Sequence, residues 1–97
     1  MSSEIKLPSD IPVVFFSKQF EKDWKYLGHE KTKEKFIQIL PIFLQNPFRK
    51  EFSNHELKGD FKGIRSINIT GDVRAFYYTE NEIFIFLRVG THSHLYG

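Results

Sequence analysis

The chain of 97 residues contains no cysteine. Disulfide bridges, thiol nucleophiles and thiolate metal sites are therefore excluded. It has little net charge, +2 at neutral pH from 14 basic and 12 acidic residues. That balance permits nucleic-acid binding but does not provide a surface that grips nucleic acid by charge alone. No apolar run approaches membrane-spanning length, and the polar start MSSEIKLPSD is not expected to act as a signal peptide. The expectation is a cytoplasmic protein with no membrane partner. A phosphate-cradling glycine loop, a Gly-x-Ser-x-Gly elbow and a dinucleotide fingerprint are also missing, as are internal repeats and linkers. Aromatic weight is what the chain does have. Eleven phenylalanines, in a sequence that is 16% aromatic and 40% hydrophobic, demand a dense core or an exposed stacking surface. A chain this long makes one domain, 1–97.

Residues 1–11 read as an irregular lead, because Pro8 and Pro12 discourage regular structure. Val13-Val14-Phe15-Phe16 is a short β-type run. Ser17 then suits a helix N-cap, Phe20, Trp24 and Leu27 recur at helical spacing, and Gly28 suits the C-cap. Thr32 is the expected cap of a second helix, with Phe36, Ile39, Leu40 and Phe43 on its buried stripe. Pro41 is expected to bend or end that helix, and Pro47 to stop it. After the polar stretch RKEFSNHELKGDFKG come three strands, Ile64–Ile69, Val73–Tyr78 and Ile83–Val89, joined by turns at Thr70-Gly71-Asp72 and Glu80-Asn81. The third is apolar on both faces, as a central strand should be. The order β-α-α-β-β-β makes an α+β fold, with two N-terminal helices on one face of a mostly antiparallel, twisted sheet.

Strand alternation places Ser66 and Asn68 opposite Ile67 and Ile69. It groups Arg74, Phe76 and Tyr78 on one face of the next strand, and Phe84, Phe86 and Arg88 on one face of the last. If the helices cover the isoleucines, an open face lined by Asn, Arg and aromatic residues is expected, suited to a phosphate-bearing chain that stacks its bases. His94 is expected to be solvated. His92 and His94 at i, i+2 would need a third metal ligand, for which Asp72 or His55 could serve but nothing fixes their distance, so no metal site is expected. Histidines, an aspartate, cations and a tyrosine fit RNA cleavage without a cofactor. RNA supplies its own 2′-hydroxyl nucleophile, histidine exchanges protons near neutral pH, and Arg and Lys clamp the phosphate.

The stretches NHELKGDFKGIRSINITGDVRAFYY and LRVGTHSHLYG resemble the RelE superfamily of bacterial toxin–antitoxin ribonucleases, and its YafQ-like branch most. The resemblance runs from about Phe15 to Gly97. It rests on a His-x-Leu-x-Gly loop, a Lys-Gly-x-Arg segment leading into a strand, an Asp-x-Arg strand, and a terminal Gly-Thr-His-x-x-Leu-aromatic, in that order. It implies a RelE-like fold and the toxin of a type II toxin–antitoxin system, cleaving mRNA on the ribosome. It implies His92 as proton donor, with His55, Asp72 and Arg74 as further catalytic residues and Tyr96 stacking on or orienting the substrate. Lys58, Lys62, Arg65 and Asn68 would help to bind RNA. The implied partners are the ribosome, mRNA and a cognate antitoxin, in a hetero-oligomer. Where the YafQ-like pattern has a second catalytic histidine this chain has Asn68, which cannot exchange a proton near neutral pH. Two other readings stand beside this one: a ParE-like toxin that binds DNA gyrase without catalysis, and a catalytically weakened, antitoxin-binding family member.

Overall fold

The computed structural model of the chain describes residues 3–5 and 14–96. Its elements are β1 (Ser3–Ile5), β2 (Val14–Phe16), α1 (Lys18–Leu27), α2 (Glu30–Gln45), β3 (His55–Glu56), β4 (Arg65–Thr70), β5 (Val73–Glu80), β6 (Ile83–Thr91) and α3 (His92–Tyr96). Short 3-10 turns lie at Lys50–Phe52 and Gly59–Phe61. The six strands form one sheet in the order β1-β2-β6-β5-β4-β3. β2 and β6 run parallel, and the other neighbours are antiparallel. The α+β architecture is the expected one. Part of the lead is not irregular, since residues 3–5 pair with β2 as an added edge strand. Pro8 and Pro12 lie outside the described residues.

Ser17 explains how α1 starts and where it docks. Its hydroxyl accepts from the Phe20 amide at 3.0 Å and donates to the Leu87 carbonyl at 2.9 Å. One side chain thus caps the helix and ties it to β6. Gly28 closes α1 at φ +70°, a left-handed conformation that glycine adopts without steric cost. α2 starts before Thr32. The extended His29 supplies the first helical carbonyl, to Lys33 N at 3.1 Å, and Thr32 lies inside the first turn. α2 also runs through Pro41 to Gln45. Pro41 stands on the exposed side, as does Ile37 four residues earlier, so water is at hand where the helical bond is missing.

The main core lies between α1, α2 and the sheet. Phe43 is fully buried and packs edge-on against Phe52, Tyr77 and Phe84. Phe16, Phe20, Phe36 and Phe86 extend the same cluster. Trimming one such ring to alanine costs about 3–5 kcal/mol. Phe84 and Phe86 therefore face the helices, which corrects their expected place on the open face. A bulge explains the error. Phe76 and Tyr77 are adjacent, but their partners are Arg88 and Phe86, so Leu87 is an extra residue in β6. It shifts the alternation, and Val89 takes the core position beyond it. Asn81 and Glu82, at φ +52° and +66°, make the tight β5–β6 turn one residue later than expected. No helix among the described residues is long and apolar enough to cross a membrane.

Candidate active site

The second face of the sheet is organised by rows across β3, β4 and β5. His55 pairs with Ser66, and Ser66 with Phe76. One step along, Asn68 pairs with Arg74, and Arg74 with Gly90. Ser53, His55, Ser66, Asn68, Gly71 and Arg74 line a pocket of about 190 Å3. Within it the Arg74 guanidinium donates to the Asn68 side-chain oxygen. The amide therefore aims the cation, a role a charged imidazolium at that position would not fill. His55 is exposed, and its Nδ1 lies 2.9 Å from the Ser53 carbonyl. A carbonyl only accepts, so Nδ1 is the donor in this contact and Nε2 is the ring nitrogen left free of it. Ser53 presents that carbonyl from a left-handed conformation, φ +45°, uncommon outside glycine.

Beside this pocket lies a second, smaller apolar cluster of Leu57, Phe76 and Leu95. The face is thus partly covered rather than open, and α3 is what covers it. The sequence does not advertise α3, a five-residue helix with no apolar periodicity of its own. It stands His92 and Tyr96 one turn apart, with ring centroids at 4.5 Å, and the Tyr96 ring meets Phe76 edge-on at 5.6 Å. His92 and Tyr96 are exposed. Phe61, in the loop between β3 and β4, lies 6.4 Å from Phe76 on the same surface. A continuous path results: His55, Ser66, Phe76, Tyr96, His92. Asp72 is exposed in the β4–β5 turn next to Gly71, and Lys58 and Lys62 are exposed on the loop that carries Phe61.

Arg65 is not brought to this site. It lies on the helix side of β4, where its Nε donates to the Asn54 side-chain oxygen at 2.6 Å and its guanidinium stands 5.1 Å over Phe48. Asn54 in turn donates to the Tyr77 hydroxyl at 2.7 Å and to the Pro47 carbonyl at 3.0 Å. Burial pushes the Tyr77 hydroxyl above its ordinary pKa, so it remains a neutral phenol in this network. Arg65 thus pins the α2–β3 connection to the sheet.

His94 is not free in solvent either. Its Nε2 lies 3.0 Å from Asp23 Oδ1, and its ring stacks on Tyr26 at 4.7 Å with planes 15° apart. Asp23 is 2% exposed. It also accepts two bonds from Arg88, at 2.7 and 3.2 Å, and one each from Val89 N and Gln19, both at 3.1 Å. Burial raises the Asp23 pKa, but the bonds from Arg88, His94, Val89 and Gln19 together outweigh it and hold the carboxyl below its ordinary value. β2 covers β6 only at Phe84–Phe86, and beyond it α1 takes the edge, with Asp23 receiving the Val89 amide. His92 and His94 therefore diverge, one toward Tyr96 and the other toward Asp23. No group of three His, Asp or Glu side chains among the described residues is placed to hold a metal ion.

Sequence reasoning missed Asp23, gave His94 to solvent, and placed Ser66 on the right face without its burial. The Ser66 hydroxyl is buried in the pocket wall with no partner among the described residues. That is a property of packing, and no local pattern carries it.

Residues 13–97 match the family model described as "Bacterial toxin of type II toxin-antitoxin system, YafQ". The mRNA interferase toxin YafQ of Escherichia coli (strain K12) is 30% identical over 86 residues, covering 84% of this chain and 92% of that protein. The crystal structure of YafQ from E. coli strain BL21(DE3) superposes with a TM-score of 0.71 at 28% identity, covering 87% of this chain and 97% of that one. The YafQ chain of the E. coli DinJ–YafQ complex gives 0.69 at 29% identity, over 87% of this chain and 97% of that one. With the family model matched over residues 13–97 and the fold shared with the solved YafQ structures, the chain belongs to the YafQ family of bacterial type II toxin–antitoxin toxins.

Proposed function

We propose that this toxin is an endoribonuclease that cuts messenger RNA on the ribosome, the RNA's own 2′-hydroxyl attacking the adjacent phosphorus. The observation that carries this reading is the single surface on which His55, Arg74 and His92 meet exposed aromatic rings. His55 Nε2 takes the proton of the 2′-hydroxyl as its oxygen bonds to phosphorus. The bond to the 5′-oxygen breaks, and His92 returns a proton to that leaving oxygen. The products are a 2′,3′-cyclic phosphate and a free 5′-hydroxyl. Arg74, aimed by Asn68, neutralises the charge that builds on the phosphoryl oxygens. Tyr96 stacks on a base, and Lys58 and Lys62 follow the backbone on either side. Neighbouring strands lie about 4.8 Å apart, so β3 and β5 stand roughly 10 Å apart. That width suits a length of single strand rather than a lone phosphate. Asp72, exposed in the β4–β5 turn, completes the catalytic set by orienting the RNA there.

A net charge of +2 gives weak grip on free RNA, so the ribosome serves to present the message. The E. coli relative is solved in complex with DinJ. Here the cognate antitoxin is an acidic segment that folds over the basic site and closes it in a hetero-oligomer. Retention of His55, Arg74, His92 and Tyr96 favours cutting over a gyrase-binding or purely antitoxin-binding role.

The test uses programmed ribosomes and synthetic messages. A 2′-O-methyl group immediately 5′ of the scissile phosphate is expected to block cutting while the message still binds. Unmodified message is expected to yield cyclic or 3′-phosphate ends, with chelators present or absent. Equal cutting of both messages, or loss of cutting on chelation, refutes the mechanism.

A further inference from the structure

We infer that His94, a residue outside the catalytic set, is a positioning residue that sets the roll of α3 and so aims His92 and Tyr96. The inference rests on the ribonuclease reading for its consequence and on geometry alone for its structural half. A five-residue helix is far below the length at which helices hold themselves together in water, about 12–15 residues. α3 must be held from outside. Leu95 supplies one hold, 8% exposed against Leu57 and Phe76. A single apolar contact locates a short helix but leaves it free to turn about its axis.

His94 supplies the second hold, one residue and so about 100° away around the helix. Four constraints meet on His94, three of them on its imidazole. The Asp23 carboxylate accepts from Nε2 at 3.0 Å. Tyr26 covers the ring at 4.7 Å. The backbone of Gly90 closes the other approach, since a Cβ there would lie 2.7 Å from His94 Cδ2. The His94 amide also donates to Thr91 Oγ1 at 3.2 Å, closing the turn that begins α3. Residues 92 and 96 lie two positions from 94, about 200° around the helix. Gripping His94 toward α1 therefore turns His92 and Tyr96 toward Phe76. Asp23 is itself held by Arg88 and Val89 N on the strand that leads into α3, so the grip is referenced to β6. This gives the glycine of the Gly-Thr-His motif a physical reason in this chain: any side chain at residue 90 would push the imidazole off its seat.

The experiment compares the full-length parent with His94→Ala, His94→Gln and Tyr26→Leu, each by NMR and by single-message cleavage on ribosomes. In His94→Ala the cross-peaks between the His92, Tyr96 and Phe76 rings are expected to vanish and the amides of 92–96 to exchange fast, with β4–β6 still protected. kcat is expected to fall roughly 10²-fold with KM little changed, as for a misaimed catalytic group. Glutamine keeps a donor for Asp23, so His94→Gln is expected to recover a large part of both signals. Ring contacts unchanged in His94→Ala overturn the inference, as do lost contacts with unimpaired cutting. If His94→Ala loses strand protection as well, Tyr26→Leu decides. Tyr26 is 75% exposed, so its loss spares the fold. A frayed α3 is expected there, and an intact one overturns the inference. A parent chain that cuts no message overturns the ribonuclease reading instead, and the ring contacts then judge His94 by themselves.

Discussion

Asp23→Ala removes the acceptor on which α1, β6 and α3 converge. In the parent its carboxylate receives Arg88, Val89 N, His94 and Gln19. Not all of these losses are equal. The Arg88 and His94 side chains are 31% and 29% exposed and can turn to water. The Val89 amide lies at a residue 1% exposed and is left without a partner, at a cost of about 1–3 kcal/mol. Relief from burying a carboxylate offsets part of the lost ion pairing. The net destabilisation is about 3 kcal/mol, which for a domain of this size lowers Tm by roughly 10–20 °C. The pH dependence carries the sign. The Asp23 pKa is lowered from 3.8 in the folded chain. Its contribution is therefore complete above that value and is lost as the pH falls through the folded pKa beneath it. Thermal unfolding followed by circular dichroism from pH 7 to pH 2.5 should show a constant gap between parent and variant down to about pH 5, closing below pH 4. A Tm loss under about 3 °C at pH 7, or a gap that widens on acidification, refutes this account of Asp23.

Tyr96 is 45% exposed and meets its neighbours through its ring. Tyr96→Phe should be mild in a cleavage assay, and Tyr96→Ala should lose about 1–3 kcal/mol of stacking; equal large losses in both would assign the role to the hydroxyl. Asn68→His returns a proton-exchanging group to the pocket but releases Arg74. Its kcat at neutral pH should match or exceed the parent's if base strength limits the reaction, and fall if the aim of Arg74 does. Ser66→Ala removes a buried hydroxyl with no partner among the described residues and should leave Tm unchanged or slightly higher. A clear drop in Tm would mean that the hydroxyl is bonded in the folded chain.

The elements whose signals are local were legible without a structure. Ser17 and Gly28 bracket α1 because capping chemistry depends on the residue at the boundary itself. β4 and the apolar β6 follow from period and composition. The pocket residues His55, Asn68 and Arg74 were also nameable, because strand alternation points to Asn68 and Arg74 and the family resemblance to His55. Tertiary structure decided the rest. A one-residue bulge at Leu87 turned Phe84 and Phe86 to the helices, since strand phase depends on pairing with a neighbour that local sequence does not encode. Tertiary structure also put Arg65 on the helix side of β4, bonded to Asn54, rather than in the pocket. It also joined Asp23 to His94 across 71 positions of chain. Neither residue carries a local signal, because a buried carboxylate is stable only where distant donors converge on it.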